Sequence, residues 1–273
     1  MVFGPPGRRE EGSMRLIILT QEENVYLPTS FATVCRALPG QVVCIVSLPA
    51  MSTHGGLRKG FLRHLRLFGL DATIIMGWRV IKAKILSRFV RPKPEGPFYS
   101  IRNVADAFGI PFQWVQRTKS LEMRAVIDKY KPDLLISISC PQIIGKELRE
   151  RFPRGSINVH GAPLPRYRGL MPAFWVLRNG ETMTATTVHD LGAKLDDGDI
   201  LVQREVPITP DDTWDSLVRK TKAAGAEALV EAVRRIEDGT VRRRPNREEE
   251  ATYFSFPTAA DRKVFRAVRR RFF

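Results

Sequence analysis

The chain has 273 residues, with 44 Lys and Arg against 29 Asp and Glu for a net charge of +15. It is long enough to bury a self-supporting core as one large or two modest domains. Its apolar runs, such as Leu134 to Ile138, are far too short to cross a bilayer, and the three cysteines (Cys35, Cys44, Cys140) lie neither near one another nor at metal-ligand spacing from a histidine. Integral helical membrane proteins and disulfide scaffolds are thereby excluded, and buried free thiols in a reducing cytoplasm are expected.

Residues 1–13 are polar and rich in glycine and proline, without the apolar stretch of a secretory leader, and are expected to be disordered. Leu16 to Leu19 reads as a first strand. Pro28 to Leu38 places Phe31, Val34, Cys35 and Leu38 at helical spacing, and Val42 to Val46 is a continuous apolar run suited to a strand buried on both faces. Residues 53–97 break this alternation. One helical stripe of Leu57, Phe61, Leu62, Leu65 and Phe68 is backed by Arg58, Lys59, Arg63 and Arg66. A second basic helix, Trp78 to Phe89, carries Arg79, Lys82, Lys84 and Arg88. This segment is expected to be an inserted helical hairpin, either a cap on the sheet edge or a docking surface for an anionic membrane or partner.

Ser100 to Phe108 then reads as a helix, Pro111 to Val115 as a strand, Leu121 to Tyr130 as a helix and Leu134 to Ile138 as the central strand. Gln142 to Phe152 is expected to be helical and Ser156 to His160 the next strand. This order predicts a Rossmann-like, mostly parallel α/β sheet. Thr184 to His189 and Ile200 to Val206 alternate and should extend it in antiparallel or mixed fashion. Thr213 to Ile236 predicts a long helix capped by Asp211 or Asp212, and residues 239–273 form a basic, arginine-rich extension in which Thr252 to Phe256 is a short strand. The catalytic domain is expected to span 14–238.

The chemistry concentrates at the end of the Ser156 strand. Asn158 and His160 are two apart and project from one face, a neutral amide donor beside a base that titrates near neutrality. The acidic segment Leu195-Asp-Asp-Gly-Asp-Ile-Leu201 could supply a carboxylate to orient the imidazole. Amide, imidazole and carboxylate suit amine attack on a carbonyl carbon, where an oxyanion needs a donor and the amine's proton an acceptor. Taken singly, each residue also has an ordinary structural reading.

The combination resembles a known family. Asn158-x-His160, Pro163-Leu-Pro-Arg-Tyr-Arg-Gly169, Pro172-x-x-Trp175 through Asn179-Gly-Glu181, Thr187-x-His189 and Asp196-x-Gly198-Asp-Ile-Leu201 look like the folate-dependent formyltransferases, which act on methionyl-tRNA, glycinamide ribonucleotide or amino sugars. The resemblance implies the formyltransferase fold, N10-formyltetrahydrofolate as formyl donor, no metal, and Asn158, His160 and Asp196 as catalytic residues. It further implies that the pteridine rests on the loop Ser139, Cys140, Pro141, Gln142 and Ile143. A second rest is the loop Asp190, Leu191, Gly192, Ala193, Lys194 and Leu195, where Gly192 and Gly198 allow close approach. Arg166 and Arg168 are candidates for the acidic groups of either substrate, with surface ion pairing as the ordinary alternative.

Ala162-Pro163-Leu164 departs from the serine and two leucines common before the family's proline. The residues after Gly239 are too few for the C-terminal barrel of the methionyl-tRNA enzymes. The expected acceptor is therefore a small primary amine, an amino sugar that could be nucleotide-linked. The alternatives are methionyl-tRNA, water in a hydrolase, or a basic nucleic-acid- or membrane-binding module with a vestigial folate site.

Overall fold

The computed structural model describes residues 13–49 and 57–273; the expected disordered segment, apart from Ser13, and the first residues of the insertion lie outside them. The first half alternates strand and helix: β1 (Leu16–Gln21), α1 (Leu27–Ala37), β2 (Val42–Leu48), then the hairpin α2 (Leu57–Phe68) and α3 (Leu70–Phe89). It continues through α4 (Ile101–Ala107), β3 (Phe112–Trp114), α5 (Leu121–Tyr130), β4 (Leu134–Ile138), α6 (Lys146–Arg149) and β5 (Ser156–His160). The second half comprises β6 (Arg168–Gly169), α7 (Pro172–Arg178), β7 (Met183–Asp190), β8 (Ile200–Pro207), α8 (Trp214–Glu237), β9 (Tyr253–Phe254) and α9 (Ala259–Ala267).

Seven strands form one sheet in the order β3-β2-β1-β4-β5-β7-β8, while β6 and β9 pair separately. Pairings from β3 to β5 are parallel; β5–β7 and β7–β8 are antiparallel. The parallel strands are apolar on both sides because helices cover both faces. In β1, Leu16 and Ile18 join the cluster beneath α1, α4 and α8, whereas Ile17 and Leu19 join the one beneath α5 and α6. Each such side chain, withdrawn fully from water, contributes about 1.5–3 kcal/mol. Chain order reverses between β1 and β4, and crevices form beyond strand carboxyl ends at such a point.

Several expectations are corrected. The helix expected over Gln142–Phe152 is only the short α6. Gln142 instead accepts from the Thr118 N–H and donates to the Gln116 carbonyl, holding the preceding loop open, and Pro153 disfavours helix at Phe152. Thr213, not Asp211 or Asp212, caps α8 in a reciprocal box with Ser216. Asp212 instead accepts from Thr209, Ser216 and Lys220. The described part of the inserted hairpin packs near the start of α8 and on the C-terminal segment. Phe68 packs on Trp214 and Phe272, Arg79 pairs with Asp215 at 2.6 Å, and Asn103 donates to the Ser87 carbonyl. The basic tail packs into the body: Phe265 and Phe272 are buried against Phe174 in a third, aromatic cluster.

Candidate active site

β5 presents Asn158 and His160 on one face, and its antiparallel pairing with β7 places His189 directly opposite Asn158. The Asn158 amide donates to His189 Nε2 at 3.1 Å, while His189 Nδ1–H donates to the Asp190 carbonyl at 2.7 Å. That second bond fixes the tautomer and leaves Nε2 as the acceptor. The other Asn158 N–H has only a long contact, 3.5 Å, to Asp196 Oδ1 and is the one free to turn toward an oxygen in the cleft.

Asp196 arrives from the loop before β8 with φ of 54°, a left-handed conformation unusual outside glycine. Its Oδ2 accepts from the Gly169 N–H at 2.9 Å and faces His160 Nδ1 at 3.4 Å. Burial pushes the carboxyl's pKa up, but in the acid range the positive charge of its imidazole neighbours, His160 first, and the Gly169 N–H outweigh it and hold it at about 2. His160 is buried where it lines the cleft, and desolvation lowers its pKa despite Asp196 and the Tyr167 carbonyl. Neutral His160 has one N–H, and the 2.7 Å contact with the Tyr167 carbonyl places it on Nε2. Nδ1 is then a lone pair facing a carboxylate. A proton arriving there converts an unfavourable contact into a charge-assisted hydrogen bond, so the pair is arranged to accept one.

Asn158, His160 and Asp196 lie on a cleft of about 420 Å³ at the carboxyl ends of β1, β4 and β5. Ser139, Cys140 and Pro141 line it, as does Leu195. Gln142 and Ile143 do not: Gln142 braces its own loop and the Ile143 side chain is in solvent. Nor do Asp190, Leu191, Gly192, Ala193 or Lys194. Asp190 pairs with Arg243, and Lys194 with Glu248. A Cβ at Gly192 would collide with Asp197, and one at Gly198 with the Asp190 carbonyl; these glycines let the loop close on itself.

The structure does not bring Arg166 and Arg168 to the cleft. Arg166 pairs with Glu181 beside a separate hollow of about 560 Å³ that holds none of the three central groups. Arg168 is 3% exposed and donates to Asn246 and Glu248. Asn246 in turn donates to the Asp196 and Gly198 carbonyls. Arg168 thus braces the loop that carries Asp196.

Two residues of the site escape the sequence reading. His189, buried behind Asn158, is placed there by the pairing of β5 with β7. Lys222 on α8 lines the cleft and donates to Ser139 Oγ at 2.8 Å. Burial lowers its pKa, partly opposed by Glu23. Its position four residues after Val218, one turn along the inner face, was the available signal.

The chain matches known proteins in sequence and in fold. The family described as formyl transferase matches residues 79–233, more than half of the chain, and the chain belongs to that family. It is 37% identical over 166 residues to the methionyl-tRNA formyltransferase of Koribacter versatilis, covering 59% of this chain and 53% of the relative. The chain spans about half the length of the curated relatives it matches. Among solved structures, phosphoribosylglycinamide formyltransferase from Anaplasma phagocytophilum aligns with a TM-score of 0.58 at 17% identity, covering 89% of this chain and 98% of that one. An N-formyltransferase from Helicobacter canadensis in complex with folinic acid and dTDP-3-aminofucose aligns with a TM-score of 0.56 at 18% identity, covering 89% and 71%. At these identities the likeness establishes the fold.

Proposed function

We propose that this protein transfers a formyl group from N10-formyltetrahydrofolate to a primary amine. The observation that carries the reading is the convergence of Asn158, His160 and Asp196 at the floor of one cleft, in a chain of the formyl transferase family. The cleft suits a flat heterocycle: its walls are mostly apolar, its volume is drug-sized, and its polar groups are few and convergent. Asn158 supplies an N–H to the oxygen on which charge develops. His160 Nδ1 receives the amine's proton, and Asp196 stabilises the resulting imidazolium. Ser139 to Pro141 and Leu195 form the walls nearest these groups, and Lys222 places a cation over Ser139.

The proposed acceptor is a small molecule, an amino sugar. The compact cleft favours it, and the Helicobacter canadensis protein of the same fold was solved with an aminofucose nucleotide. A second reading, methionyl-tRNA, is favoured by the names of the curated relatives and by the net charge of +15. Incubation with isotopically labelled formyl donor and a panel of free and nucleotide-linked amino sugars, amino acids and charged tRNA separates them by which species gains a formyl group. Formate release without any acceptor would identify a hydrolase instead. His160→Ala abolishes transfer on this reading; full transfer by that variant would end it.

A further inference from the structure

α3 is turned inside out relative to an ordinary surface helix. Leu70, Ile74, Trp78, Ile81, Ile85 and Phe89 are 51–79% exposed, while Ala72 and Ala83, on the side facing the body, are buried. At 3.6 residues per turn the six large apolar side chains fall within an arc of about 100°. The helix is fixed in this orientation. Arg79, on the inner side, pairs with Asp215 at 2.6 Å and lies over the Phe273 ring, and the Ser87 carbonyl accepts from Asn103. The apolar stripe is therefore held toward solvent by specific contacts on the opposite face.

Cations border the stripe. Lys82 lies on one side, Lys84 and Arg88 on the other, and Arg91 and Lys93 follow at its carboxyl end; all five are exposed, and none forms an ion pair with another described residue. Asp71 is the helix's one acid, at its amino end. A continuous apolar stripe of this length on a soluble surface marks an interaction site. Flanking lysine and arginine, with a tryptophan in the stripe, suit a helix lying in the interface of an anionic bilayer: apolar side chains enter the acyl boundary and the cations reach the headgroups. Among the described residues no helix is long and apolar enough to cross a membrane, which fits a surface-lying role for α3. A second copy of the chain is disfavoured as the occupant, because it would bring two sets of these cations together in a molecule of net charge +15.

We propose that α3 docks the protein on an anionic membrane surface. The test is co-sedimentation of the full chain with phosphatidylcholine vesicles with and without phosphatidylserine, followed by Trp78 fluorescence. The expected result is binding to the phosphatidylserine vesicles with a blue shift that the Trp78→Phe variant lacks. The paired substitution Trp78→Glu and Ile81→Glu lowers partitioning at least tenfold with an unchanged circular dichroism spectrum, because both side chains are already in solvent. Lys82→Glu with Lys84→Glu weakens binding to the anionic vesicles by about fivefold or more per cation and leaves binding to neutral vesicles unchanged. Absence of binding to anionic vesicles overturns the proposal. So does binding that the Trp78→Glu, Ile81→Glu variant retains, which would locate the contact in the arginine-rich tail. A dimer in sedimentation equilibrium that this variant dissolves, without vesicle binding, would assign the stripe to a second copy instead.

Discussion

Asp196→Asn isolates the charge at the centre of the site. Asparagine is nearly isosteric, tolerates the φ of 54° observed there, and its carbonyl can still accept from the Gly169 N–H. What it removes is the negative charge beside His160. Asp196 is 8% exposed, so solvent screens it little. The fall of its pKa from 3.8 to about 2 corresponds to about 2 kcal/mol favouring the folded carboxylate over its protonated form, a preference expressed in the acid range where the imidazole beside it is charged. A carboxyl with a depressed folded pKa contributes fully above its unfolded value and loses that contribution as pH falls through the folded one. The contribution is therefore nearly complete at pH 4, about half gone at pH 3 and mostly lost at pH 2. The variant lacks this dependence. Denaturant unfolding at steps from pH 4 to pH 2 should show a gap between wild type and variant that narrows by about 2 kcal/mol across that range. Formyl transfer should drop as well. A hydrogen bond to a charged group contributes about 1.5–3 kcal/mol, or about tenfold to a hundredfold in kcat/KM. Parallel stability curves, or transfer at the wild-type rate, would refute the assigned pairing of Asp196 with His160.

Three further variants test the geometry. Gly169→Ala forces a side chain onto a φ of 102° and into the Phe254 carbonyl; unfolding measurements should show a loss of about 1–3 kcal/mol, with transfer reduced because the N–H that holds Asp196 moves. Lys222→Met should raise the melting temperature, since a buried ammonium of lowered pKa opposes folding, and this gap should shrink as pH rises toward the ordinary lysine value, where the unfolded chain also releases its proton. The same variant should bind a non-hydrolysable formyl-folate analogue more weakly by calorimetry, having lost the bond to Ser139. Arg168→Gln should lower kcat with little change in the donor's KM, a split expected of a brace acting through Asn246 and Asp196 and not of a ligand contact.

What the sequence disclosed and what it withheld divide along the range of the interactions involved. β1, β2, β4 and β5 were legible because strands covered on both faces are apolar throughout, and Asn158 and His160 were legible as a pair because a strand's period of two is local. Asp196 stands apart from them by a whole helix and strand, and only the family resemblance singled it out. Arg168 misled because a cation beside a catalytic motif invites a substrate, whereas its role is set by Asn246, far along the chain and brought near by the β6–β9 pairing. α3 shows the same limit most clearly. Its stripe is written in the sequence, as are its cations, but periodicity specifies only that a helix has two faces. Which face meets the body depends on Arg79 finding Asp215, at a separation of 136 residues, and that contact turns Trp78 and Ile81 outward. Because the same Asp215 also accepts from Tyr26, which lines the cleft, the anchor of the exposed helix sits one side chain from the proposed site of chemistry. A surface that engages α3 would therefore press on the wall of the cleft through Arg79, Asp215 and Tyr26, and Arg79→Leu should release the helix while leaving Asn158, His160 and Asp196 in place.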